Sequence, residues 1–249
     1  MNTYSKTLFI TTNDLDSNNN LKLSSILNYA QYVASKHAET LSLGYEDLIK
    51  KDLIWVVVRN YFEILKPINN LDYIKISTYP TKNKFIEYPR NYIFYNENNE
   101  EIIKGKSIWM IYNYKTKEVI MDNFNELNND DLKDVFDFRI KKLPILEVSD
   151  SNLVKDILIT ESLIDYNKHL NNSKTLDFYL DVYGLDNKKI IKSFQIEYVK
   201  QVYKGDLITL YKISKDNLNY LYAYRKNELV FYIMVVTSKE QIYETWKKC

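Results

Sequence analysis

The chain has 249 residues, 45% of them hydrophobic and 27% charged, a mixture that folds and is large enough for one big domain or two of ordinary size. Its 34 lysines and arginines against 33 aspartates and glutamates leave a net charge of +1, so no overall field draws in nucleic acid or an anionic membrane, and a charged partner must be met by a local patch. One cysteine, Cys249, excludes an internal disulfide and a multi-thiolate zinc site, and fits a reducing compartment.

The opening "MNTYSKTLFITTND" carries an apolar run too short for a signal peptide, and no stretch approaches the roughly 20 apolar residues that cross a bilayer, so a cytoplasmic protein without stable membrane insertion is expected. Leu23, Ile26, Leu27, Ala30 and Ala34 recur at helical spacing and predict a helix from Leu23 to about Leu41, with Gly44 as its stop. His37 continues that apolar face and reads as a core histidine. Extended runs come next at 54–65, 72–80, 85–96 and 101–113, with "NENNE" as a hairpin turn between the last two. Trp55 and Trp109 fall in these runs and read as sheet packing. The 23 tyrosines and 10 phenylalanines suit such half-buried pleated surfaces. Residues 122–150 lose the alternation, carry charge clusters and Pro144, and read as a connecting segment long enough to pack against the body.

The second half repeats the first. Leu176, Tyr179, Leu180 and Tyr183 give a helical face stopped by Gly184, and strand-like runs return at 189–199, 206–214, 218–225 and 228–237. Asp165, Asn167, His169, Leu170 and Leu176 align without a gap on Asp16, Asn18, Asn20, Leu21 and Leu27. Further on, Glu197, Lys200, Asp206 and Ile208 align on Glu63, Lys66, Asp72 and Ile74. Two copies of one fold are expected: 1–121, the connecting segment 122–150, and 151–249. Both copies keep Asp and Asn two residues apart before the helix, and only the second has a histidine, so a site built on this element belongs to the second copy.

In "LIDYNKHLNNSKTLDFYLD", an extended backbone would project Asp165, Asn167 and His169 to one side. His169 can take and return a proton near neutral pH, although a capping or surface histidine would occupy such a junction equally well. Asn167 and Asp165 also read as turn or cap residues, and Asn171 and Asn172 as residues of the helix start.

The element "DYNKHLNN", joined to "IEYVKQVYKGD" and to the earlier "LNYAQYVASKHAETLSLG", "WVVVRNYFEI", "ISTYPT" and "SIWMIYN", resembles the acyl-acyl carrier protein thioesterase family over nearly the whole chain. The resemblance implies an α+β fold of two tandem hotdogs, each an antiparallel sheet wrapped around a long helix. It implies hydrolysis of the fatty acyl thioester that ends fatty acid synthesis, with an acyl carrier protein bearing a fatty acyl phosphopantetheine as partner. A homodimer is compatible with it. The sequence offers no cluster of His, Asp or Cys ligands and no glycine-rich phosphate loop, so no metal or cofactor is expected. The first hotdog would hold the acyl chain and the second would carry the chemistry. Asp165, Asn167 and His169 fall in the family's catalytic element, with Asp165 either orienting His169 or acting as base or nucleophile. The chain departs from the pattern at Gln201, where the family commonly has glutamate, and at Val202. A glutamine can hold water and cannot remove its proton, which moves the burden to His169 and Asp165 and keeps an idle acyl-binding protein, or an acyl-CoA thioesterase, as alternatives. Lys188, Lys189, Lys192, Lys200 and Lys204 are the candidates for meeting an acidic carrier.

Overall fold

The computed structural model describes residues 3–69, 72–83, 85–121, 133–184 and 189–239. It divides into two compact units, Met1–Lys142 and Leu143–Cys249.

In the first unit the strands are β1 (Tyr4–Phe9), β2 (Leu53–Ile64), β3 (Tyr73–Pro80), β4 (Tyr88–Tyr95), β5 (Glu101–Asn113) and β6 (Glu118–Ile120). They form an antiparallel sheet in the order β1-β3-β4-β5-β2, with β6 paired to β5. Helix α1 (Leu23–Thr40) buries Ile26, Leu27, Ala30, Val33 and Ala34, and packs on β3 and β1. Full burial of each large aliphatic side chain contributes about 1.5–3 kcal/mol, which outweighs the modest intrinsic propensity of a serine-containing helix. A short helix, α2 (Tyr45–Ile49), comes after it.

The helix stop differs from expectation. Ser42, at φ 55, takes the left-handed position, the Ser42 N–H reaches Glu39 O and the Leu43 N–H reaches Ala38 O, so α1 closes two residues before Gly44. Gly44, at φ −70, instead precedes α2. His37 is fully buried, as expected. Its Nδ1 lies 2.9 Å from the Arg90 guanidinium and must accept from it, because arginine has only donors. Burial holds the Arg90 pKa below its usual value.

The second unit contains β7 (Leu153–Leu158), α3 (Lys174–Tyr183), β8 (Lys189–Tyr198), β9 (Leu207–Lys215), β10 (Leu218–Arg225) and β11 (Glu228–Lys239). Its sheet order, β8-β11-β10-β9-β7, is the first unit's order carried through the repeat. Helix α3 ends at Gly184, whose φ of 69 suits a residue without Cβ, and stacks Phe178 on Phe231 of β11. Strands β1 and β7 are absent from the sequence expectation: both are edge strands in which no residue is fully buried, so they lack the alternation that marks a half-buried strand.

Between the repeats, residues 122–132 lie outside the described residues. Residues 133–142 pack on the first unit, and the chain from Leu143 to Val148 packs on the second. In the first, Phe136 and Phe138 pack edge-on to Tyr61, Arg59 donates to Ile140 O, and Lys106 pairs with Asp134. In the second, the Leu143 N–H reaches the buried Glu197 carboxylate, Tyr232 donates to Leu143 O, and the Tyr222 hydroxyl accepts from Leu146 N and donates to Pro144 O. Tyr220, Tyr222 and Tyr232 stack across β10 and β11 beneath this segment, and burial pushes the Tyr222 hydroxyl up to about 12.

Gly105 sits in mid-strand because the Phe62 ring crosses it: an added Cβ would lie 2.1 Å from Phe62 Cε1. Gly105→Ala is therefore expected to destabilise the fold by about 1–3 kcal/mol, read as a lowered urea midpoint, through displacement of a fully buried ring.

Candidate active site

The second unit's site starts from one carboxylate. Asp165 Oδ1 accepts the backbone N–H of Asn167 at 2.9 Å and that of His169 at 3.4 Å, while the Asp165 N–H donates to His169 O at 2.9 Å. Lys168, at φ 66, completes the turn. The first unit repeats the arrangement: Asp16 Oδ1 accepts from Asn18 N at 2.8 Å and Asn20 N at 3.0 Å, the Asp16 N–H donates to Asn20 O, and Asn19 sits at φ 62. A carboxylate that accepts the same two backbone donors in both copies is first a turn former. The extended backbone that would align Asp165, Asn167 and His169 on one side is absent, since a turn joins them. The Asn167 side chain is exposed, and its backbone N–H is what engages Asp165.

The turn aims His169 at a second segment. An antiparallel bridge pairs His169 with Tyr203, as Asn20 pairs with Asn69 in the first unit. The two rings meet edge to face, centroids 5.0 Å apart at 71°. Half-burial lowers the His169 pKa, and the Asp165 charge raises it by less, so His169 is neutral to lower pH than an ordinary histidine.

Gln201 lies on the same segment and is exposed; its Oε1 accepts from the Tyr203 hydroxyl at 2.8 Å. Tyr203 thus joins His169 to Gln201. It stands in the quoted "IEYVKQVYKGD", and no spacing rule singles it out; only the repeat does so, by placing it on Asn69 opposite the position of His169. Arg225 carries no sequence signal either. Its guanidinium donates to Gln201 O, to Asp206 Oδ2 and to Glu228 Oε2, and Asp206 in turn accepts from Tyr203 N. The segment is braced from β10.

At the helix start, Asn171 Oδ1 accepts from Ser173 N and Oγ, as a capping amide should. Asn172 acts through its carbonyl, which takes the hydroxyls of Thr175 and Tyr198 and fastens α3 to β8. Among the described residues, no group of three or more His, Cys, Asp or Glu could hold a metal. Lys200 and Lys204 are paired with Glu228 and Glu161; Lys188 lies outside the described residues.

A helix against an antiparallel sheet, used twice with one turn in each copy, is the double hotdog architecture. The chain belongs to the acyl-ACP thioesterase family: its N-terminal domain matches residues 1–126 and its C-terminal domain residues 147–247. A chloroplastic acyl-[acyl-carrier-protein] hydrolase of Cuphea viscosissima is 22% identical over 177 residues, covering 64% of this chain and 42% of that protein. A chloroplastic palmitoyl-acyl carrier protein thioesterase of Cuphea hookeriana is 24% identical over 172 residues, covering 64% and 41%. The matched part thus spans under half the length of these relatives. An acyl-ACP thioesterase from Bacteroides thetaiotaomicron VPI-5482 shares the fold at TM-score 0.84 and 18% identity, over 95% of this chain and 98% of that one. A 12:0-ACP thioesterase from Umbellularia californica does so at TM-score 0.82 and 17% identity, over 96% and 98%.

If the carboxylate shapes the turn, Asp165→Ala should cost about 1 kcal/mol of stability, as should Asp16→Ala, because each removes the acceptor of two backbone donors. Asp165→Asn retains Oδ1 and should leave the thermal midpoint close to the parent's.

Proposed function

We propose that the chain is a thioester hydrolase that releases fatty acids from acyl carrier protein in the cytoplasm, with the second unit carrying the chemistry and the first holding the acyl chain. One observation carries this reading: of two turns with the same geometry, only the second presents an imidazole, and burial keeps that imidazole unprotonated and ready to take a proton. Family membership supports the substrate class. Water attacks the thioester carbonyl, His169 accepts the water's proton and returns it to the departing thiolate, and the amides of Asn167 and Gln201 serve the water and the developing oxyanion. Asp165 holds the turn and tempers the His169 pKa. Among the described residues no helix is long and apolar enough to cross a membrane.

The second reading, an idle acyl-carrier binding protein, is favoured by Gln201, which cannot act as a base. Thiol release measured with one acyl group on acyl carrier protein and on coenzyme A, across short to long chains, decides among the three. Faster release from the carrier protein supports the proposal, faster release from coenzyme A makes the chain an acyl-CoA thioesterase, and stoichiometric binding without free thiol leaves the binding protein.

His169→Ala should lower turnover about a hundred- to ten-thousandfold with folding intact, whereas Asn20→Ala should leave turnover near the parent's. A His169 variant within about twofold of the parent would remove the imidazole from the mechanism.

The acid limb of kcat/KM should fall below the ordinary histidine value of 6.5. Asp165→Asn removes the charge that favours the imidazolium, so it should move this limb to still lower pH and retain most activity at neutral pH. A loss of about a hundredfold or more in Asp165→Asn would instead make the carboxylate the base or nucleophile.

A further inference from the structure

We infer that Tyr203 is a positioning residue that locks the Gln201 amide so that its NH2 end, rather than its oxygen, faces the thioester carbonyl; this rests on the hydrolase reading above. An amide side chain offers an acceptor at one end and two donors at the other, and a single strong partner decides which end is presented. The Tyr203 hydroxyl occupies Oε1 at 2.8 Å. Among the described residues Nε2 has no hydrogen-bond partner.

The lock is built rather than incidental, because both backbones that carry it are fixed. Arg225 holds Gln201 O at 3.3 Å, Asp206 holds Tyr203 N at 2.9 Å, and Arg225 and Asp206 are joined at 2.7 Å. Gly205, at φ 87, closes the turn with its N–H on Ile159 O, and the Asp206 N–H returns to Tyr203 O. The Tyr203 ring, though partly exposed, is also held by its contact with the His169 ring. The first unit has Pro67 and Asn69 at the corresponding places, so it has neither the amide nor the phenol.

The lock changes what the departure from glutamate means. A carboxylate at position 201 would serve as an acceptor for water. A glutamine whose oxygen is occupied serves as a donor, which suits the oxygen that gains negative charge when water attacks. Gln201 and Tyr203 then act as one device, and His169 is the only base in it.

The test is a double-mutant cycle on Tyr203→Phe and Gln201→Ala, with the full chain and an acyl-carrier substrate. Tyr203→Phe keeps the ring and removes only the hydroxyl. It is expected to lower kcat up to about tenfold with KM unchanged, Gln201→Ala to do the same, and the double variant to lose no more than Gln201→Ala alone. A merely structural role for the phenol would multiply the two losses or move KM, and either result overturns the inference, as does a Tyr203→Phe kcat equal to the parent's. The nitrogen–proton NMR signals of the Gln201 amide, assigned by their loss in Gln201→Ala, read the lock without turnover. They should shift in Tyr203→Phe, and unchanged signals overturn the lock. If the parent releases no thiol on any carrier, the hydrolase reading fails on its own and the oxyanion role fails with it, while the NMR comparison still decides the lock.

Discussion

A carboxylate that accepts two backbone N–H groups is the constraint on which each half of this molecule depends. In open chain the residues before the helix could take many paths. Once Asp16 or Asp165 gathers the donors two and four residues ahead, the chain must reverse, one residue must enter the left-handed region, and the fourth residue must face the loop after β2 or β8. The bridges Asn20 to Asn69 and His169 to Tyr203 are the result. The helix then begins within a few residues, its start fixed by Asn171 in the second copy. The geometry is independent of the group at the fourth position, which is why one copy can carry asparagine and the other histidine on the same scaffold.

That independence separates scaffold from chemistry. The turn sets where His169 sits; burial, opposed by the Asp165 charge, sets when it is neutral; the Arg225 and Asp206 brace sets where Gln201 lies. Each contribution is modest, because the hydrogen bonds are partly exposed and worth about 0.5–1.5 kcal/mol net. Together they remove freedom from the side chains of His169, Tyr203 and Gln201, and a fixed arrangement of donors is worth most where charge develops.

Much of the fold is legible in the sequence because the signals are strong and local. The α1 face, the Gly184 stop and the long strands follow from periodicity and from one residue type at one conformation. The Asn96 to Glu100 turn is another such case: Asn96 Oδ1 takes the N–H of Asn98 and Glu100, and Asn99 sits at φ 57. Edge strands β1 and β7 are illegible because none of their side chains is fully buried, and the pattern that marks a strand is the pattern of burial. Gly44 misleads because a serine takes the left-handed position two residues earlier. At the site, the ambiguity over Asp165 is real in one dimension, since a turn-forming and a proton-accepting carboxylate have the same letter and only the partners of Oδ1 distinguish them. Tyr203 is marked in the sequence only by its place in the repeat, for a different reason: its relation to His169 is made by a bridge between segments far apart in the chain.

The tyrosine stack on the second sheet bears on where that half begins. Leu143 is buried among Tyr220, Tyr222 and Tyr232, and Leu146 and Val148 pack beside it. Two phenols reach this segment's carbonyls, and Glu197 accepts its first N–H. A fragment cut at residue 151, where the repeat itself starts, would bare three stacked aromatic rings and take one donor from a buried carboxylate. Its surface would be sticky in the way a half-peeled core is, and it would self-associate. The residues that look like string between two beads are, for the second bead, part of its skin, and a fragment meant to stand alone must begin at Leu143.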